Sequence, residues 1–167
     1  LNSTMVSFTS TDGTPVQAYL TRPKKDGPLP AIVVIHENRG LNDHIQDVAR
    51  RLAKEGYVVL APDLLSRLGG TAKFPGDEAT EAIRKLNEDM LTKDLTGAID
   101  YLKGQKFVRA GKIGVTGFCW GGGNVLLIAT RDKDLAAVVV YYGRNPQNLD
   151  DVKNITAPVM GHYGEKD

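Results

Sequence analysis

The sequence has one cysteine, three histidines and almost no surplus of charge of either sign. A lone cysteine cannot form an internal disulfide or build a thiolate-rich metal site, so it is either a buried spectator or a working thiol. With 21 basic residues against 20 acidic ones and no long basic run, binding nucleic acid through bulk charge is disfavoured. Long apolar runs are also lacking. Ala136–Tyr142 is typical, far short of the roughly 20 residues needed to span a bilayer. No signal-like stretch follows Leu1, so the cytoplasm is the default compartment, although an export signal removed upstream would leave the same sequence. There is no internal repeat and no low-complexity segment.

What is present suits one globular domain. Of the 167 residues, 41% are hydrophobic, enough to exclude disorder as the main state at a net charge of only +1. Strand and helix patterns alternate. Met5–Ser10 and Val16–Thr21 read as strands joined at Asp12-Gly13, a hairpin turn signal. Ala31–His36 and Tyr57–Ala61 are continuous apolar runs, as in strands buried on both faces. Between them Ile45, Val48, Ala49, Leu52 and Ala53 mark one helical face, with Asn42 or Asp43 as cap and Gly56 as stop.

Leu64–Gly76 reads as a long loop. A helix then carries Ala79, Ile83, Leu86 and Met90 on one face, and a second face in Leu91–Leu102 suggests a break near Leu91. Strands at Lys112–Thr116, Ala136–Tyr142 and Pro158–Tyr163, with a helix at Gly122–Thr130, complete the pattern. The fold class is α/β, with a mostly parallel sheet and helices on both faces.

The chemistry concentrates where the Lys112–Thr116 strand gives way to a helix. Gly117-Phe118-Cys119-Trp120-Gly121 has the spacing Gly-x-nucleophile-x-Gly, with cysteine where the hydrolase pattern has serine. A sharp turn brings backbone close on both sides of the nucleophile, which glycine tolerates. It also aims the N-terminal amides of the next helix at the thiol, where they stabilise a thiolate and an oxyanion. The alternative is a buried cysteine in a glycine-rich connection. A nucleotide-binding oxidoreductase is a weaker rival, because neither the GxGxxG nor the GxxxxGK spacing is met.

His36-Glu37-Asn38-Arg39-Gly40 follows the first buried strand and fails as the zinc signature HExxH, having Gly40 in fifth place. It supplies a carboxylate and a backbone amide at the sheet edge, or else merely caps a strand as a polar loop. Asp167, after the last strand, stands downstream of the nucleophile, in the nucleophile, acid, histidine order of a triad. No histidine follows it, and His36, His44 and His162 each read as surface or core residues.

HENRG, AKEGYVVLAPDLL, GFCWGG, VVVYYG and the terminal HYGEKD together resemble the dienelactone hydrolase (carboxymethylenebutenolidase-like) family, from about Val6 to Asp167. The resemblance implies an α/β-hydrolase fold that cleaves ester or lactone bonds of small molecules by acyl transfer through cysteine, with no metal or organic cofactor. It makes Cys119 the nucleophile and Asp167 the acid that orients the histidine. Glu37 becomes the glutamate that helps generate thiolate, and the amides of Asn38 and Trp120 the oxyanion-hole donors. The histidine and one substrate-binding arginine then belong to a C-terminal part absent from residues 1–167, a single domain cut after the triad acid and expected to be inactive alone. A second arginine falls between Leu64 and Met90, where Arg67 and Arg84 are both open. Without a base, the same pocket would serve a non-catalytic small-molecule binding module. No membrane or nucleic-acid partner is expected, and oligomeric state is not legible.

Overall fold

Seven strands lie in the order β1-β2-β4-β3-β5-β6-β7 in a computed structural model that describes every residue from Leu1 to Asp167. β1 (Asn2–Thr9) and β2 (Pro15–Arg22) form the expected antiparallel hairpin, with Gly13 at φ +88° in its turn. β2 also runs antiparallel to β4 (Val58–Pro62), whereas β3 (Leu29–Ile35), β4, β5 (Val108–Phe118), β6 (Ala137–Tyr141) and β7 (Val159–His162) are mutually parallel.

Side chains alternate across β3 and divide the core in two. Val33 and Ile35 pack with α3 (Glu88–Lys103) and α4 (Trp120–Arg131). Val34 faces the other way, against Ile45, Ala49 and Ala53 of α1 (Asp43–Lys54). Helices thus cover both faces of a mostly parallel sheet. Asn42 is the cap of α1, its side chain accepting from the Ile45 N–H at 3.1 Å. No helix is long and apolar enough to cross a membrane.

The helical stretch after the long loop breaks earlier than its apolar pattern suggests. α2 (Glu78–Ile83) is a short helix, and α3 starts afresh at Asn87, whose side chain accepts from the Met90 N–H at 2.9 Å. The cap satisfies an orphan amide of the new helix, so Leu86 falls in the break and Met90 belongs to α3. β5 is also longer than its apolar segment, because Val108 pairs with Leu29 and the exposed residues Arg109–Lys112 form an irregularity before pairing resumes at Ile113, opposite Ala31.

The loop from Leu64 to Gly76 is pinned rather than slack. It contains two single 3₁₀ turns, Ser66–Leu68 and Thr71–Lys73. Arg67 reaches from the first into the seam between hairpin and α3. Its guanidinium donates to both Asp94 oxygens (2.8–3.1 Å), to Thr14 Oγ1 (3.0 Å) and to Ser10 Oγ (3.1 Å), and pairs with Asp12 at 2.8 Å. The Asp94 side chain is only 1% exposed, so without Arg67 a buried carboxylate would lose its ion-pair partner. Arg67→Ala is therefore expected to destabilise the natural full-length protein by about 3 kcal/mol, from the burial of an unpaired carboxylate. A urea midpoint that does not move would overturn this account.

Candidate active site

The parallel register brings the carboxyl ends of β3 and β5 side by side, Ile35 opposite Gly117. β5 ends at Phe118 and α4 begins at Trp120, leaving Cys119 alone at the corner with φ +56° and ψ −117°. That region is strained for a residue with a Cβ and costs roughly 1–3 kcal/mol. Both flanking glycines are required by contact: a Cβ on Gly117 would stand 2.6 Å from the Gly121 carbonyl oxygen, and one on Gly121 would stand 2.5 Å from the carbonyl oxygens of Ile35 and His36. Cys119 is exposed, which removes the buried-spectator reading. Its own N–H is fixed to the Tyr141 carbonyl at 2.9 Å, and α4 has no side chain capping its first amides.

The loop after β3 lies beside this corner. Arg39 pairs with Asp77 at 3.2 Å, and Thr80 Oγ1 donates to the Asn38 carbonyl at 3.3 Å, so the loop is tied to the start of α2. The Asn38 N–H donates to no group of the chain. Trp120 packs between α2 and the His36 ring, stacked on the latter with centroids 5.5 Å apart and planes at 20°. Glu37 lies 3.8 Å from His44 Nε2 on the first turn of α1.

Tyr142, which the sequence reading passed over, belongs to the same neighbourhood. It stands just after β6 at φ +40°, and its phenol pKa is raised, first by burial and then by the negative charges of Glu37 and Cys119. The available signal was its place: the residue after β6, beside the end of β5, at the same sheet edge as Cys119.

Asp167 stands apart from this group. It closes a turn after β7, two strands from β5, where its N–H donates to the Gly164 carbonyl (3.1 Å) and its carboxylate accepts from the Gly164 N–H (3.4 Å). No histidine is hydrogen-bonded to it. His36 is fully buried and engaged at both ring nitrogens, and His162 stacks on Tyr141, which stacks in turn on Phe118, each at 4.7 Å. The structure therefore joins Cys119, Glu37, Asn38 and Trp120 at one edge and sets Asp167 apart from them, bonded to Gly164.

The two open arginines now differ. Arg67 is consumed by Asp94 and Asp12, whereas Arg84, at the end of α2, is exposed and paired only with Glu81 at 3.1 Å. No group of three or more His, Cys, Asp or Glu side chains is arranged to hold a metal ion.

Known proteins resemble the chain over most of its length. The model of the dienelactone hydrolase family matches residues 16–167. A candidate carboxymethylenebutenolidase of Methylorubrum extorquens is 37% identical over 163 residues, covering 91% of this chain and 56% of its own. A candidate 2-oxo-3-(5-oxofuran-2-ylidene)propanoate lactonase of a Bradyrhizobium species is 35% identical over 167 residues, covering 94% of this chain and 67% of its own. The chain thus spans between half and about two thirds of the length of these relatives. Among solved structures, a candidate dienelactone hydrolase from Klebsiella pneumoniae superposes with a TM-score of 0.84 at 34% identity, over 98% of this chain and 74% of its own.

Proposed function

The chain belongs to the dienelactone hydrolase family, and from that premise we propose that the protein hydrolyses activated esters or enol lactones through Cys119. The observation that carries the proposal is an exposed thiol held at a strained backbone corner, at the uncapped start of α4 and beside the free Asn38 amide. The Cys119 thiolate adds to the ester carbonyl, forming a C–S bond while the carbonyl π electrons move to oxygen. The Asn38 and Trp120 amides hold that oxyanion. Its collapse breaks the C–O bond to the leaving group, which takes up a proton, and water then releases the acid and restores the thiolate. In a lactone the leaving group stays tethered to the acyl enzyme.

Glu37, at the same edge, is assigned the role of drawing the proton from the thiol as substrate binds. Asp167 is assigned as the acid that orients the acid–base histidine, whose role His36, engaged at both ring nitrogens, does not fill. Thiolate is both a good nucleophile and a good leaving group, so esters with acidic leaving groups are the fitting class and amides are poor ones. The Bradyrhizobium relative's name, a furan-type lactonase, is in keeping with that class. A binding module without turnover draws no support from the site, since binding alone does not require a strained, exposed thiol.

The test is acyl trapping. The natural full-length protein, mixed with p-nitrophenyl acetate and quenched in acid within its first turnovers, should carry one acetyl group, on the peptide containing Cys119. Turnover accompanied by label on any other residue would overturn the nucleophile assignment.

A further inference from the structure

His36 is the largest buried polar side chain beside the site, fully enclosed between the loop after β3 and the ring of Trp120. Its bonding pattern fixes its state. Nδ1 lies 2.7 Å from the Glu37 carbonyl oxygen, which only accepts, so Nδ1 carries the hydrogen. Nε2 lies 3.1 Å from the Leu64 N–H, which only donates, so Nε2 is bare. The ring is a neutral imidazole of one tautomer, and burial, the leading influence, pushes its pKa below the ordinary histidine range. It is unsuited to be the base.

The consequence lies in the peptide that the ring grips. All peptide bonds of the chain are trans, so the Glu37 carbonyl and the Asn38 N–H point in opposite directions within one rigid plane. The His36 Nδ1–H holds that carbonyl on the buried side, with the Gly40 N–H as a longer second donor at 3.3 Å. The Asn38 N–H is thereby turned away from the ring and left without a partner. The same ring backs the indole of Trp120, whose amide is the other proposed donor. Leu64, on the loop after β4, holds the ring from behind.

We propose that His36 is a positioning residue, which sets the oxyanion hole by locking the Glu37–Asn38 peptide and backing Trp120. The assignment rests on the acyl-transfer reading above. It requires no change of charge at His36 and no contact with substrate.

Two half-mimics of imidazole test it in the natural full-length protein. Asparagine places an amide N–H near the Nδ1 position and can still hold the Glu37 carbonyl, whereas glutamine reaches the Nε2 position and serves only Leu64. His36→Gln should lower kcat for p-nitrophenyl acetate about 100-fold with KM little changed, the size of losing one oxyanion donor. His36→Asn should stay within about fivefold of wild type. Alkylation of Cys119 by iodoacetamide passes through no oxyanion, so its rate should be unchanged in both variants.

Equal kcat in the two variants, or a fall in kcat that the alkylation rate follows, would overturn the positioning role. If His36→Gln fails to fold, His36→Asn still decides: retained kcat supports the role, and a 100-fold fall overturns it. Failure of the underlying reading is separately visible, because wild type would then turn over without acetyl on Cys119.

Discussion

Replacing Cys119 with alanine in the natural full-length protein is expected to lower kcat for an activated ester by about 10⁴-fold or more, the scale on which removal of a covalent nucleophile acts. The fold should hardly notice. Cys119 is exposed, its own backbone groups are bonded to Tyr141 and Gly123, and alanine leaves both bonds intact. The unfolding free energies of the two proteins should therefore agree to within about 0.5 kcal/mol, as for an ordinary surface substitution. Loss of activity without loss of stability separates chemistry from packing. Cys119→Ser sharpens the contrast, because a hydroxyl is scarcely ionised near neutrality and must be activated by a base during attack. It should fall well below wild type yet remain above Cys119→Ala. Comparable kcat in wild type and Cys119→Ala would rule out covalent catalysis at this position.

The features that could be read in advance are those with a local cause. The hairpin at Asp12-Gly13, the Asn42 cap and the Gly-x-Cys-x-Gly corner each follow from the conformational needs of a few adjacent residues, and the structure contains all three. Apolar spacing alone misplaces the start of α3, because it runs on through Leu86 and Met90, whereas the boundary is set by a polar side chain, Asn87, folding back on its own helix. Arg67 stayed open for a different reason. Its partners Asp94, Asp12, Ser10 and Thr14 lie 27 to 57 residues away, and no periodicity connects them. His36 reads as the end of a strand, whereas the distant contacts that hold its ring, from Leu64 and Trp120, are made only by the tertiary fold. Within the site, local glycine geometry was thus legible and the supporting shell was not.

That difference between neighbouring positions gives the second large effect, within the run Gly121-Gly122-Gly123. Gly121→Ala is expected to destabilise the protein by more than about 4 kcal/mol, beyond ordinary overpacking, because the added methyl meets backbone and not a movable side chain. Its Cβ would lie 2.5 Å from two carbonyl oxygens, those of Ile35 and His36, and 3.0 Å from the Ile35 carbonyl carbon. Relief would require α4 to lift off the end of β3, which carries Cys119 away from Asn38. Gly123→Ala, two residues on, should act in the opposite direction. There the new Cβ stands 3.6 Å from the Arg144 backbone, an ordinary contact, and its φ is not among the positive values. Alanine in place of glycine within a helix is worth about 0.5–1 kcal/mol, so this variant should be stabilised by that order. Chemical-denaturation midpoints of the two variants should therefore lie on opposite sides of wild type. A Gly121→Ala protein with a wild-type midpoint would mean that α4 does not press on β3 as described, and the close approach that brings Cys119 to the loop after β3 would have to be abandoned.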